Sequence, residues 1–467
     1  MSGFKPYPAY KDSGVEWLGE VPERWTPTSL KYLALLNPHK SGYDGDTEQL
    51  CSFLPMEKLK TGTLQLDEVR PIEEVIGGYT YFEDGDVLQA KVTPCFENKN
   101  VAIASGLTNG IGFGSSEINV FRPYRHANAG YLYYRVQEDS YMGFCTSSMI
   151  GAGGLKRVPT DVINNFKVAA PELHEQTQIA HFLDHETARI DALIAEQQRL
   201  IELLKEKRQA VISYAVTKGL DPRVTMKDSG VEWLSEVPEH WGVVRVKHIK
   251  SWRPNAFVDG PFGTNLKSEH FVEEGGVYVI ESSFATTGQL NLSDLKQITS
   301  SHFETIRRSE VCEGDIVIAK IGARYGMCSI LPSLDKPGVV SGNSLKLTVN
   351  ELVCDSRFAV FVLKHLKECG AIEDIVNMTA QPALSLGEMN NLPFPLPPLC
   401  EQLHILSDLE MRLGEFEALT SECKQVMGFA MERRSALISA AVTGKIDVRG
   451  WQPSACLETP ELEQEVV

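Results

Sequence analysis

The chain repeats itself. KDSGVEWLGEVPERWTPTSLKYL begins at Lys11 and KDSGVEWLSEVPEHWGVVRVKHI begins at Lys227; they agree at 14 of 23 positions, at an offset of 216. Further on, NNFKVAAPELHEQTQIAHFL from Asn164 aligns with NNLPFPLPPLCEQLHILSDL from Asn390, at an offset of 226. That offset holds without a gap to RQAVISYAVTKGLD (208–221) and RSALISAAVTGKID (434–447). A repeat of this length restricts the fold to two copies of one unit of about 220 residues, the second with about ten more residues in its middle. The shared parts are the Trp-containing box in front and a helical part behind. The middles, 34–160 and 250–385, differ, apart from the echo GDVLQAK (85–91) and GDIVIAK (314–320). A common frame around divergent inserts predicts a pseudo-two-fold frame presenting two different surfaces. Duplication without functional content is the alternative.

The helical parts are long. Residues 174–216 hold no Pro or Gly and stop at Gly219 and Pro222, which predicts one helix. At 1.5 Å per residue it spans roughly 64 Å, which suits a coiled coil better than a globular core. A seam of period 3.5 runs Ile179, Leu183, Glu186, Ile190, Leu193, Gln197, Leu200, Leu204, Lys207, Val211, Tyr214. Its counterpart runs Ile405, Leu409, Arg412, Phe416, Leu419, Cys423, Val426, Ala430, Arg433, Leu437, Ala440, with Gly414 and Gly428 weakening that helix. A two-fold relation makes the pair antiparallel and, with Gln197 and Cys423 central, sets Glu186 near Arg433 or Arg434. The middles show short β-branched runs such as EGDIVIAKIG and GVYVIESS, cut by Gly and Pro, without βαβ alternation. Each is expected to be an α+β domain.

Charge bounds the function classes. There are 45 Lys and Arg against 62 Asp and Glu, a net charge of −17. Neither 1–160 (15 basic, 19 acidic) nor 227–390 (16 basic, 21 acidic) is a general polyanion binder, so any nucleic-acid contact must use clustered cations. The ten cysteines are scattered without a CxxC pair, which argues against structural zinc and fits reduced thiols. Neither a signal-peptide core nor an 18-residue apolar run is present, so a soluble, cytoplasmic protein is expected. No GxxxxGK[ST] loop, HExxH or GxSxG occurs, nor the [DNS]PP[YF] tetrad of amino-methyltransferases; GIGFGSSE (110–117) does not open an amphipathic helix. Asp86, Gln89 and Lys91 are weakly similar to a metal-dependent nuclease core, but the spacing is too short. A non-enzyme is expected, without a catalytic, metal or cofactor site of its own.

Both Trp boxes, the PELHEQ (171–176) and PPLCEQ (397–402) helix starts, and the AVTKG and AVTGK helix ends resemble the specificity subunits of type I restriction–modification systems. AKVTPCFENKN (90–100), GIGFGSSEINVFRP (110–123) and DGPFGTNLKS (259–268) are similar to segments inside that family's target recognition domains. The resemblance covers residues 7–450 in the family's own order. PELHEQ departs from it by lacking the second proline.

The resemblance implies an α+β fold: two target recognition domains joined by two long helices that pair as an antiparallel coiled coil, with a pseudo-two-fold repeat. The domains would be 1–160 and 222–389, the helical spacers 161–221 and 390–447, and 448–467 an acidic, disordered tail. It implies a non-catalytic subunit that reads a split target in double-stranded DNA, the helices setting the unread gap. Its partners would be two adenine-methyltransferase subunits, to which two motor-nuclease subunits can add. S-adenosylmethionine, ATP and magnesium would belong to those partners, and no membrane is involved. A duplicated-domain protein–protein scaffold and a self-contained restriction or modification enzyme are the competing readings.

Arg reads guanine and Asn or Gln reads adenine through paired hydrogen bonds, whereas phosphate contacts position the protein. Candidate cations are Lys91, Lys99, Lys156 and Arg157 in the first domain, and Lys267, Lys320 and Arg324, with Tyr325, in the second. Candidate base readers are Asn98, Asn343 and Gln381. For each, a solvated surface position is the alternative. Trp17, Trp25, Trp233 and Trp241 lie in the shared frame and are expected to pack rather than stack on bases.

Overall fold

The computed structural model describes residues 4–40, 43, 45–152, 154–376 and 382–453. The chain forms two compact units. Unit 1 holds residues 1–198 and 424–467; unit 2 holds 199–423. Two long helices, Leu173–Lys218 and Leu399–Val442, each begin in one unit and end in the other. Gly414 and Gly428 do not interrupt the second. Each helix gives way to a left-handed glycine, Gly219 (φ +78°) after the first and Gly444 (φ +75°) after the second. A Cβ at Gly444 would lie 2.5 Å from Pro22, so the close approach itself requires glycine there.

Within each unit, the start of one long helix packs against the end of the other, antiparallel. In unit 1, Gln178 donates to the carbonyls of Val448 and Trp451, while Asp191 pairs with Arg434 at 2.9 Å. In unit 2, Arg208 pairs with Glu417 at 4.0 Å, and Gly219 lies beside Glu401. Asp191–Arg434 and Glu417–Arg208 are the same contact under the 226-residue offset. The expected pairing of Glu186 with Arg433 or Arg434 is therefore corrected: Glu186 faces His185 and Arg189 on its own helix.

The seam also shifts. Ile179, Leu183 and Ile190 are buried, as are Thr187 and Ile201, but Leu193 and Leu200 are exposed. In the second helix Leu413 is buried, whereas Arg412, Leu419 and Val426 are exposed. The alternate seam positions thus sit one residue later than the expected ones. Tyr214 is half exposed.

The two inserts share one topology despite their divergent sequences. In unit 1, a four-stranded antiparallel sheet runs Val101–Ile103, Val87–Ala90, Ile118–Pro123, Ala34–Leu36. Unit 2 has the same order: Cys328–Ile330, Ile316–Ala319, Ser344–Leu347, Phe257–Asp259. The GDVLQAK and GDIVIAK segments supply the matching strands, and their residues 87–90 and 316–319 are buried throughout. A second sheet in each unit is built on a parallel pair: Leu50–Leu54 with Ile111–Gly114, and Val277–Ile280 with Gly338–Val340. Unit 2 adds the strand Phe271–Val272 to that sheet.

Each insert enters and leaves through a two-stranded ribbon, Thr26–Ser29 with Lys167–Ala170 and Gly242–Arg245 with Pro393–Leu396. Above it sits a repeated clamp. The indole N–H of Trp25, fully buried, donates to Glu175 Oε1 at 3.0 Å; Trp241 donates to Glu401 Oε1 at 3.0 Å. The next residue grips the insert. Gln176 accepts from Asn128 N (2.9 Å) and donates to the carbonyls of His126 (3.2 Å) and Pro171 (2.9 Å). Gln402 accepts from Asp355 N and donates to the carbonyls of Val353 and Pro397, each at 2.9 Å. Asn128 and Asp355 are themselves the N-caps of Ala129–Arg135 and Ser356–Glu368. Lys31 and Lys247 recur for a similar reason: they donate to the side-chain oxygens of Asn165 and Asn391.

The expected packing role holds for the frame tryptophans. Trp17 stacks on Phe166 and donates to Lys167 O, and Trp233 meets His365 edge-on. The tail expectation is corrected for 448–453: Val448 is buried, and Trp451 packs edge-on against Phe182 and His185. Residues 454–467 lie outside the described residues.

Gln402 is fully buried and makes three hydrogen bonds, so its loss strands two carbonyls and one N–H. At about 1–3 kcal/mol for each buried group left unpaired, Gln402→Ala is expected to destabilise unit 2 by at least ~2 kcal/mol. Amide exchange at Asp355 and along Ser356–Glu368 is expected to accelerate, with unit 1 amides unchanged.

Candidate nucleic-acid interface

The strands Val87–Ala90 and Ile316–Ala319 each deliver a lysine at the same sheet end, Lys91 and Lys320. The carboxylates before these strands shape the turns: Asp86 accepts from Glu83 N and Asp315 from Cys312 N, each at 2.8 Å. Asp86 is also held by Arg122 at 2.8 Å, while Gln89 is buried between Val136 O and the Tyr141 hydroxyl. Asp86 and Gln89, two of the three residues of the weak nuclease likeness, are thus structural. Among the described residues, no three His, Cys, Asp or Glu side chains cluster as metal ligands.

In unit 1 the fold gathers Lys91, Lys156 and Arg157. The hairpin Ile150–Ala152 with Leu155–Arg157 is exposed throughout, and its root is laced to the Lys91 segment. Val92 bridges to Arg157, Thr93 N donates to Lys156 O (3.0 Å), and Lys156 N donates to Thr93 Oγ1 (3.0 Å). Arg157 makes a two-point ion pair with Glu117, at 2.7 and 2.8 Å. That guanidinium, helped by Lys91, holds the Glu117 carboxyl below the usual carboxylate range. Asn98 is exposed at the neighbouring turn, where its carbonyl accepts from Thr61. Lys99 is committed elsewhere. Its ammonium donates to Asp139 (2.9 Å) and Ser435 (3.4 Å), tying the insert to the second long helix. Burial opposes the Asp139 charge, yet the bonds from Lys99 and Ser435 hold its carboxyl below the ordinary range.

In unit 2, Lys320 is nearly buried. Its ammonium lies 3.3 Å from Asp259 and 3.7 Å from the centre of the Phe262 ring, and its backbone N–H donates to Asn343 O at 2.8 Å. Beside it opens a cleft of about 400 Å³ lined by Phe262, Gly263, Glu281, Ser283, Ser341 and Asn343. Asn343 is exposed at its lip. Lys267 is exposed and pairs with Glu269 at 3.7 Å. Arg324 is exposed in a neighbouring turn, whereas Tyr325 is buried beneath the Lys367 ammonium, 3.6 Å from its ring centre. Gln381 lies outside the described residues. The sequence reading missed Arg308, which joins the Asp259 ion pair at 3.4 Å. It also missed Trp252, 90% exposed, although Trp252 stands outside both repeated boxes, a signal open to view.

A profile of the type I restriction modification DNA specificity domain matches residues 262–420. The type I restriction enzyme EcoAI specificity subunit from Escherichia coli is 26% identical over 91% of this chain and 83% of its own length. The EcoEI specificity subunit, also from Escherichia coli, is 36% identical over 39% of this chain and 31% of its own. Among solved structures, a chain from work on complex assembly and conformational transition of the type I R-M system aligns with a TM-score of 0.72 at 15% identity. It covers 91% of this chain and 99% of that one. The HsdS subunit from Thermoanaerobacter tengcongensis aligns at 0.54 and 14% identity, over 91% and 98%. The likeness to these structures supports the expected architecture of two α+β units on paired antiparallel helices. With specificity-subunit relatives matching along nearly its whole length, the chain is similar to the specificity subunits of type I restriction–modification systems.

Proposed function

We propose that the chain reads a bipartite DNA sequence, one half with each insert, and carries two methyltransferase subunits to it, with motor-nuclease subunits able to join. The observation that carries this reading is the pair of inserts with one sheet topology and different chemistry at the same sheet end. An exposed hairpin with Lys91, Lys156 and Arg157 marks one end; a cleft beside Lys320 and Asn343 marks the other. A scaffold without DNA readout would not need equivalent sites to differ so. Phosphate contacts would fall to Lys91 and Lys156, base contacts to Asn98 and Asn343. The methyl donor, ATP and magnesium are assigned to the partner subunits, so the transfer chemistry lies outside this chain.

Methylome sequencing of a host carrying this chain with its methyltransferase, against a host lacking only this chain, tests the proposal. A new split motif with methyladenine in both halves is expected; an unchanged methylome with an active methyltransferase would overturn it. Exchanging residues 250–385 for those of a relative should alter one half-site only.

Two further outcomes follow from geometry. Inserting seven residues into each long helix keeps the seam and adds about 10 Å. The unread gap is expected to widen by roughly three base pairs, at 3.4 Å per pair. Glu117→Gln releases Arg157 from its ion pair and is expected to tighten DNA binding. The slope of log affinity against log salt should steepen by about one unit, as read by fluorescence anisotropy of the assembled complex.

A further inference from the structure

Both units carry an exposed apolar patch in the same place. In unit 2 it consists of Trp252, 90% exposed, and Leu352, 87% exposed. Backbone bonds from Ser251 N to Thr348 O and from Asn350 N to Ile249 O, each 2.8 Å, set the two turns side by side. In unit 1 it consists of Tyr32, Leu35 and Tyr124, all exposed. There Tyr124 N donates to Leu33 O at 2.9 Å, and the His126 ring bonds Tyr32 O at 2.9 Å. Exposed cations border both: Lys250 and Arg253 in one, Lys31 and Arg125 in the other. In each patch one member, Tyr124 or Leu352, lies just before the N-cap gripped by Gln176 or Gln402.

The patches lie at the opposite sheet end from the cationic clusters. Ser344–Leu347 begins beside Asn343 and Lys320 and runs toward Thr348 and the Trp252 turn. Ile118–Pro123 begins beside Glu117 and Lys91 and runs into Tyr124. At about 3.4 Å per residue, the two ends are roughly 20 Å apart. A single exposed hydrophobic side chain needs no explanation. Large apolar groups exposed on the corresponding turns of two otherwise divergent inserts do, even though they are not matched residue for residue (Tyr124 corresponds to Asn350), because contiguous apolar surface marks interaction sites.

We propose that each patch docks one copy of a protein subunit bound twice, through an apolar surface rimmed by acidic side chains. Resting on the function proposed above, that subunit is the methyltransferase. Repetition argues for an occupant present in two copies, the bordering cations for its acidic rim, and the sheet polarity for a face turned away from the base-reading end.

The test uses the full chain purified with its methyltransferase. One variant carries Trp252→Ala with Leu352→Ser, another Tyr32→Ser with Leu35→Ser, and a third all four. These side chains are exposed, and circular dichroism checks that the fold is kept. Native mass spectrometry is expected to show one methyltransferase lost from each double variant and both from the quadruple. The affinity of the affected site should fall at least about tenfold, which is about 1.4 kcal/mol. As a second readout, acrylamide quenching of Trp252, taken as the difference from Trp252→Phe, should fall when methyltransferase binds and not when DNA alone is added. Retention of both methyltransferases at wild-type affinity overturns the inference. So does protection of Trp252 by DNA alone, which would make the patch a nucleic-acid contact. A wild-type chain that binds no methyltransferase at all would instead overturn the proposed function, so the two failures are distinguishable.

Discussion

Everything in each unit hangs from one repeated hydrogen bond, buried in unit 1 and part-buried in unit 2, from the indole N–H of Trp25 or Trp241 to the first carboxylate of a long helix. A carboxylate wholly or partly withdrawn from water is tolerated when its lone pairs are used. Glu175 therefore takes the Tyr7 hydroxyl at 2.7 Å as well, and Glu401 takes the His240 ring at 2.7 Å. These bonds fix the helix start against the Trp box. With the helix start fixed, the following glutamine can reach back and order the N-cap of the helix inside the insert. Box, long helix and insert are thus registered within two adjacent residues, and the rest of each domain is free to vary.

That division explains why the unit cores are shared rather than separate. In unit 1, Trp25, Tyr131 and Phe166 cluster with Leu437, Ile438 and Val442 from the end of the second long helix. In unit 2, Trp241, Phe358 and Phe394 cluster with Ile212, Ala215 and Val216 from the end of the first. Neither helix end has a core of its own. Apolar burial at about 25 cal/mol per Å² is thus gained only when both helices and the insert come together.

Much of this was legible because repetition exposes frame residues: the Trp boxes and the EQ helix starts recur at fixed offsets, and the αL glycines Gly219 and Gly444 fall within one residue of that register. The helix seam was only half legible. Leucines at 193 and 200 compete with isoleucines at 194 and 201, and period alone accepts either row. The polar Glu186 and Arg412 against Thr187 and Leu413 held the discriminating signal, since a buried row avoids unpaired charge. Site residues were least legible. Lys99 and Lys320 look like free cations in the sequence, but Asp139 and Asp259, 40 and 61 residues away, claim them through tertiary contacts that no local pattern announces. The common topology of the two inserts was hidden because strand order depends on pairing partners rather than on residue identity.

The glutamine clamp also bears on how such a chain can change over generations. Everything between the Trp box and the helix start enters and leaves within one short ribbon, and each fixed point is a short run of residues repeated in both halves of the chain. Homologous recombination between those repeated stretches would move a whole insert as a cassette, without disturbing a single frame contact. A new specificity could then arise in one genetic exchange.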